Sequence, residues 1–149
     1  EPDYAALLLE PDVQRWLRPP PLAPMGPADP GDLLTHDLAH WDDHGYGPWV
    51  LRDRRTGCFA GRGGLCWTTA TGSFAVELPW AIVPDRWGEG LATEAALAAV
   101  ARARALQLDD VVSFTVPDNL PSRRVMEKAG LQLVGPLPHA GMEHVLYRL

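Results

Sequence analysis

One stretch constrains this chain more than any other: Leu78-Pro79-Trp80-Ala81-Ile82-Val83-Pro84-Asp85-Arg86-Trp87-Gly88-Glu89-Gly90-Leu91-Ala92-Thr93-Glu94. An apolar run suited to a buried strand meets a short turn with two glycines, and an alanine-rich helix follows. The first N–H groups of such a helix have no intrahelical acceptor and point out of its end. The helix dipole adds to their pull on an anion, usually a phosphate. Gly88 and Gly90 leave no side chain between those donors and a ligand. The stretch therefore requires a strand and a helix that meet at an open edge, and it predicts a cofactor pyrophosphate there.

The flanking sequence supplies a mixed set of elements. Helical spacing covers Tyr4 to Leu9, and Pro11 starts a second short helix. Prolines 19, 20, 21, 24, 27 and 30 then read as a stiff surface loop. Asp29 or Asp32 is the expected cap of a helix carrying Leu33, Leu34, Leu38 and Trp41, ended by His44-Gly45. Trp49 to Leu51 and Cys58 to Trp67 read as a hairpin around Arg54-Arg55-Thr56-Gly57. Gly61, Gly63 and Gly64 suggest a bulge or a close backbone approach in its returning strand. Phe74 to Val83 is the next strand and Leu91 to Leu106 the clearest helix, rich in alanine and free of Gly and Pro. Val111 to Val116 follows as a strand. A helix capped by Asp118 or Asn119 runs to Lys128, and two strands close the chain, Leu131 to Val134 and Glu143 to Leu149, set apart by Pro136 and Pro138.

Bulk properties bound the function. A length of 149 residues suits one domain, 1–149, with a real core. The net charge of −6 argues against nucleic-acid or anionic-membrane partners and tolerates a cationic substrate. No apolar run approaches the ~20 residues of a membrane span, and the start lacks a signal-like segment. Cys58 and Cys66 are too few for a disulfide framework. These features predict a cytoplasmic protein.

Spacing narrows the choice of phosphate ligand. A dinucleotide fingerprint has G-x-G-x-x-G directly after its strand; here Pro84 to Trp87 intervene, Thr93 replaces the third glycine, and too few strands follow. A Walker A loop is excluded because no Lys-Ser or Lys-Thr follows the glycines. Trp87-Gly88-Glu89-Gly90-Leu91-Ala92 instead resembles the Gln/Arg-x-x-Gly-x-Gly/Ala motif of the GCN5-related N-acetyltransferase (GNAT) superfamily. Asn119-Leu120-Pro121-Ser122…Glu127-Lys128-Ala129-Gly130-Leu131 is similar to the Asn-x-x-Ser…Glu-Lys-x-Gly-Phe block of the family's ribosomal-protein N-terminal acetyltransferase branch. Thr56 to Leu65 looks like that branch's central hairpin.

The resemblance implies an α+β fold. Its mixed, mostly antiparallel twisted sheet is splayed at the centre, with helices on both faces and acetyl-CoA in the gap. The family's first strand has no counterpart here. No metal is implied, and a homodimer is common in the branch. The acceptor would be the amine of a small molecule, a peptide or a protein N-terminus. The alternative is a non-catalytic acyl-CoA-binding domain of the same fold.

Roles follow residue by residue. Trp87, Gly88, Glu89, Gly90, Leu91, Ala92 and Thr93 form the pyrophosphate turn, with Glu89 facing outward by resemblance. The backbone of Ile82 and Val83 would pair with the pantetheine arm as a strand edge takes a guest strand. Asn119 resembles the family's cofactor-contacting asparagine, with a helix cap as the competing reading and the two roles compatible. Many relatives carry an acidic tyrosine in this helix, but Met126 holds that place, so Ser122 is the candidate proton donor. Glu77 is the candidate base: a carboxylate among Phe74, Val76, Leu78 and Trp80 is costly unless it has work or a partner such as Arg62. Trp41, Tyr46 and Trp49 are the expected substrate mouth, with core packing as the competing reading. His36, His40 and His44 recur every four residues, and a solvent-facing helix stripe is the preferred reading over a metal site.

Overall fold

Prolines start both N-terminal helices, α1 (Pro2–Leu8) and α2 (Pro11–Leu17), where a missing N–H costs nothing. The computed structural model describes residues 1–149. Helix α3 (Asp29–His44) closes on Gly45 in the left-handed conformation, as a C-terminal glycine should. Its N-cap is Ala28, not an aspartate, because Asp29 Oδ2 accepts from the Gly26 N–H at 2.6 Å and secures the loop instead. No helix is long and apolar enough to cross a membrane.

Strands β1 (Pro48–Arg52), β2 (Phe59–Gly64) and β5 (Trp80–Ile82) form one sheet in the order β1-β2-β5. The second sheet has the order β3-β4-β6-β8-β7, from β3 (Cys66–Thr68), β4 (Ala75–Glu77), β6 (Val111–Thr115), β7 (Gln132–His139) and β8 (Met142–Arg148). Only β4 and β6 run parallel; every other pair is antiparallel. The expected mixed, mostly antiparallel sheet with helices on both faces is therefore the observed one.

The two sheets share one continuous hairpin. Gly61 pairs with Ile82, Arg62 with Ala81 and Gly63 with Trp80; farther along, Cys66 pairs with Glu77 and Thr68 with Ala75. The register never slips between these rungs. Both readings of the glycines hold: a side chain on Gly61 would collide with the Ala81 carbonyl on this side, and on the other side the pairing with β1 bulges, passing from Leu51–Gly61 to Arg52–Phe59. The sheet opens on the other side of the same strand. Val76 and Glu77 pair with Val111 and Val112, the Leu78 N–H still reaches the Val112 carbonyl at 2.8 Å, and beyond that β5 and β6 diverge. The Ser113 hydroxyl donates to the Leu78 carbonyl at 2.9 Å, the last tie at the root of the opening.

Two faces are covered differently. Helices α4 (Leu91–Ala105) and α5 (Leu120–Lys128) bury Leu65, Val76, Leu78, Val111 and Tyr147 against Ala96, Ala99, Ala103 and Met126. The fully buried alanines let α4 lie close to the sheet. On the opposite face Ala81 packs with Leu7 and Val13 of α1 and α2, while Ala75 and Val112 pack with Leu137 and Leu146. β7 extends through Pro136 and Pro138, which were expected to lie between strands. It is an edge strand paired only with β8, so a missing N–H on its free side breaks nothing.

Candidate active site at the opened sheet

The divergence of β5 from β6 creates a cleft of about 620 Å³, ordinary for a small-molecule site. It passes between the faces of the sheet. Gly88, Gly90, Leu91, Ala92, Thr93, Asn119 and Ser122 line it toward α4 and α5. Val13, Trp16, Leu17, Phe114 and His144 line it toward α2. Glu77 to Ile82 form one wall and Ser113 to Thr115 the other.

The turn into α4 is built for an anion. Gly88 and Gly90 adopt φ of +83° and +86°, and a Cβ on either would meet nothing within 4 Å, so open space lies before the turn. The N–H groups of Gly88, Gly90, Leu91, Ala92 and Thr93 have no acceptor in the protein; the first helical bond is from Glu94 to the Gly90 carbonyl. Five converging donors at a helix start suit a pyrophosphate. Arg124 and Lys128 of α5 border the same mouth and add positive charge. Glu89 does not spoil it, because its carboxylate turns back to Arg86 at 2.7 Å. Arg86 also binds Asp53 at 3.1 Å, pinning the turn to the β1–β2 hairpin. The Thr56 and Arg55 N–H groups, together with Arg86, hold the Asp53 carboxyl down at about 2. Arg86, which also lines the cleft, thus pins the turn.

Alternation decides which strand atoms face the cleft. The Val83 N–H donates to the Ala60 carbonyl at 3.0 Å and its own carbonyl accepts from Arg86. Val83 is therefore committed to β2 and to the turn, and the expected guest-strand role does not fall on it. Ile82 and Trp80 present their backbone groups toward β6 instead. The Ile82 carbonyl accepts from the Trp87 indole at 2.7 Å, so Trp87 closes over this edge.

Glu77 lies at the inner end of the cleft, where the strands part. It shares a face with Ala75 and Ala81, the side toward α1 and α2. Burial pushes its carboxyl up to about 7, against a smaller lowering by Arg62. Arg62 is not its ion-pair partner: the guanidinium is taken by Asp37, at 2.8 and 2.9 Å. Ser122 sits on α5 beside the cleft, and its hydroxyl has no protein partner. Asn119 is a genuine cap. Its Oδ1 accepts from the Ser122 N–H at 3.3 Å and its Nδ2 donates to the Thr115 hydroxyl at 3.1 Å, so the cap also joins α5 to β6. Met126 is fully buried in the core.

The aromatic mouth expected from Trp41, Tyr46 and Trp49 is not part of this cleft. Trp41 donates its indole N–H to the Pro48 carbonyl, and its ring fills the space a side chain on Gly47 would need. Tyr46 and Trp49 pack on the main core. The histidines of α3 are engaged as well: His40 binds the Tyr46 carbonyl and the Trp67 N–H, and His44 accepts from the Trp67 indole. The apolar lining of the opposite mouth comes from residues with no readable motif. Trp16 and Leu17 end a two-turn helix, while Phe114, His139 and His144 form a cluster of rings 5.2–5.7 Å apart. His144 is 8% exposed, burial keeps its pKa low, and its Nδ1 has no hydrogen-bond partner. Only the helical spacing of Val13, Trp16 and Leu17 hinted that α2 had an apolar stripe to place.

The sequence model described as Acetyltransferase (GNAT) domain matches residues 1–132. The chain belongs to the GNAT acetyltransferase family. This GNAT chain is 30% identical over 103 residues to the Bacillus subtilis (strain 168) protein YkkB, covering 65% of itself and 60% of YkkB. It thus spans about three-fifths of the curated relative it matches. Its fold superposes on an acetyltransferase of Agrobacterium tumefaciens str. C58 with a TM-score of 0.84 and 28% identity, covering 99% of this chain and 83% of that one. A GNAT superfamily phosphinothricin acetyltransferase of Sinorhizobium meliloti, solved in complex with AcCoA, shares the fold at a TM-score of 0.67 and 17% identity. That match covers 85% of this chain and 70% of that one.

Proposed function

We propose that this GNAT chain transfers an acetyl group from acetyl-CoA to a primary amine by direct attack, with Glu77 as general base. One observation carries the reading: a single cleft has a cluster of unpaired N–H donors at its α4 end and a half-buried, readily protonated carboxylate at its root. The residues of the α4 turn fit the pyrophosphate of acetyl-CoA in donor number, backbone conformation and free space. The acetyl-CoA complex of the Sinorhizobium meliloti relative supports the same choice of donor.

Acetyl-CoA, when bound, supplies an acetyl group activated as a thioester. The backbone edge of Trp80 and Ile82 orients the arm of that cofactor, and the α4 turn fixes its phosphates. Glu77 accepts a proton from the incoming amine, directly or through one water. Ser122, the nearest hydroxyl on α5 without a partner, donates toward the departing sulfur. The basicity of Glu77 selects the amine. Moving a proton from an α-ammonium of pKa about 8 to a carboxylate near 7 costs about 1.4 kcal/mol; from a lysine ammonium the cost is about 4–5 kcal/mol. An N-terminal α-amine, or a small amine of similarly low pKa, suits the site better than a lysine.

The test is release of free CoA thiol from acetyl-CoA with a panel of peptides, polyamines and aminoglycosides. The expected result is thiol release with at least one amine and its loss in Glu77→Gln. Tight acetyl-CoA binding without thiol release across the panel would establish the non-catalytic acyl-CoA-binding alternative.

A further inference from the structure

A second group of charges lies behind Glu77 on the same face. Asp37 of α3 is 3% exposed and Arg62 of β2 is 7% exposed. Asp37 receives Arg62 Nε at 3.1 Å and Nη2 at 2.8–2.9 Å, and the Tyr4 hydroxyl donates to its Oδ2 at 2.8 Å. A buried fork–fork pair with a third donor is geometrically specific, yet such pairs add little net stability over an apolar filling. Their presence calls for another reason.

The shared hairpin supplies one. Arg62 pairs with Ala81 and Cys66 with Glu77 in a register without a slip, so the side chains of Arg62, Cys66, Glu77 and Ala81 emerge on one face. Arg62 is therefore four residue pairs along the hairpin from the base, on the same face, and its charge still acts to lower the Glu77 carboxyl. We propose that Asp37 is a positioning residue for the Glu77 base: its carboxylate holds the Arg62 guanidinium, so that the charge is spent on Asp37 and not on Glu77. The proposal rests on the reading of Glu77 as base. It accounts for an arginine lying beside a carboxylate that has to stay basic.

The other groups around Glu77 are neutral. The Cys66 thiol is pushed up to about 12, chiefly by burial. Burial raises the Tyr4 hydroxyl and lowers both His40 and His144. Tyr46, on the far side of His40, is raised by burial too. Arg62 is thus the charge that acts on Glu77, and Asp37 is the charge that holds Arg62. An uncompensated guanidinium there would hold the carboxylate ionised and make it a poorer base.

The experiment is a carbon-13 NMR titration of the Glu77 carboxyl in the ligand-free protein, assigned by difference from Glu77→Gln, beside the pH dependence of kcat. Asp37→Asn leaves Arg62 unpaired and should lower the Glu77 midpoint by about one pH unit or more, with the acidic limb of kcat moving equally. Asp37→Asn/Arg62→Gln removes both charges and should return the midpoint to the wild-type value or above. A purely structural Asp37 lowers the melting temperature in both variants and moves neither midpoint, which overturns the proposal. If Asp37→Asn does not fold, Arg62→Gln is compared with the double variant: a higher Glu77 midpoint in Arg62→Gln, where the Asp37 charge remains, supports the proposal, and equal midpoints overturn it. Unchanged kcat in Glu77→Gln defeats the base reading separately, while the titration still reports whether Asp37 governs Glu77.

Discussion

The two ends of the cleft are made of different materials. The α4 end is backbone: glycines in the left-handed region, five unpaired N–H groups and a helix start. The α2 end is side chain: Trp16 and Leu17 from one helix, Phe114 and His144 from two strands far apart in sequence. A backbone site tolerates many side-chain changes but few changes in φ. A side-chain site is retuned one residue at a time without disturbing the fold. The α4 end is therefore set by backbone conformation, and the α2 end by the choice of side chains.

Substitutions should separate these ends. Glu77→Gln, at the point where they meet, should reduce kcat by about 10²–10⁴-fold and abolish the limb near pH 7, with acetyl-CoA affinity within about twofold of wild type; stopped-flow thiol release and calorimetry report the two quantities. Gly90→Val places a branched side chain at φ +86° in front of the donors. It should weaken acetyl-CoA binding by more than about tenfold while leaving the amine KM at saturating cofactor nearly unchanged. Trp16→Ala and Phe114→Ala should do the reverse, raising the amine KM by about three- to tenfold without altering cofactor affinity. A matched effect on cofactor and amine in either set would erase the distinction. Trp49→Phe, in the core rather than the mouth, should leave both constants unchanged.

The smallest effect concerns stability. The folded state holds the Glu77 proton more tightly than the unfolded chain, with the carboxyl raised from about 4.5 to about 7. That contribution is complete below about pH 4.5 and is lost as pH rises through about 7. Glu77→Gln stays neutral throughout. It should therefore gain on wild type, by on the order of 1–2 kcal/mol, between pH 5 and pH 8, as measured by urea denaturation.

Legibility in the sequence followed the same division. The Gly88–Gly90 turn, the alanine helix and the Asn119 cap were readable because backbone geometry restricts residue type locally. Glu77 was readable because a carboxylate in an apolar strand is conspicuous. Val83 was misassigned because hydrogen-bond parity depends on register, and the register was known only once Ala60 was seen opposite it. Trp41, Tyr46 and Trp49 looked like a mouth because they are aromatic and close in sequence; packing places them in or beside the core. The residues that do line the α2 end have no local signature, since Phe114 and His144 meet only through the pairing of β6 with β8.

The unbroken hairpin gives the cleft a mechanical asymmetry. One wall is fastened along its whole length to β2 and β3, and the other, β6, leaves it after Leu78. The opening is a wedge whose walls are held from outside, by β2 on one side and by β8 on the other, and joined at the root where Ser113 donates to the Leu78 carbonyl. The wall that carries α5, fastened to β6 through Asn119 and Thr115, is thus tied to the opposite wall by a single hydroxyl.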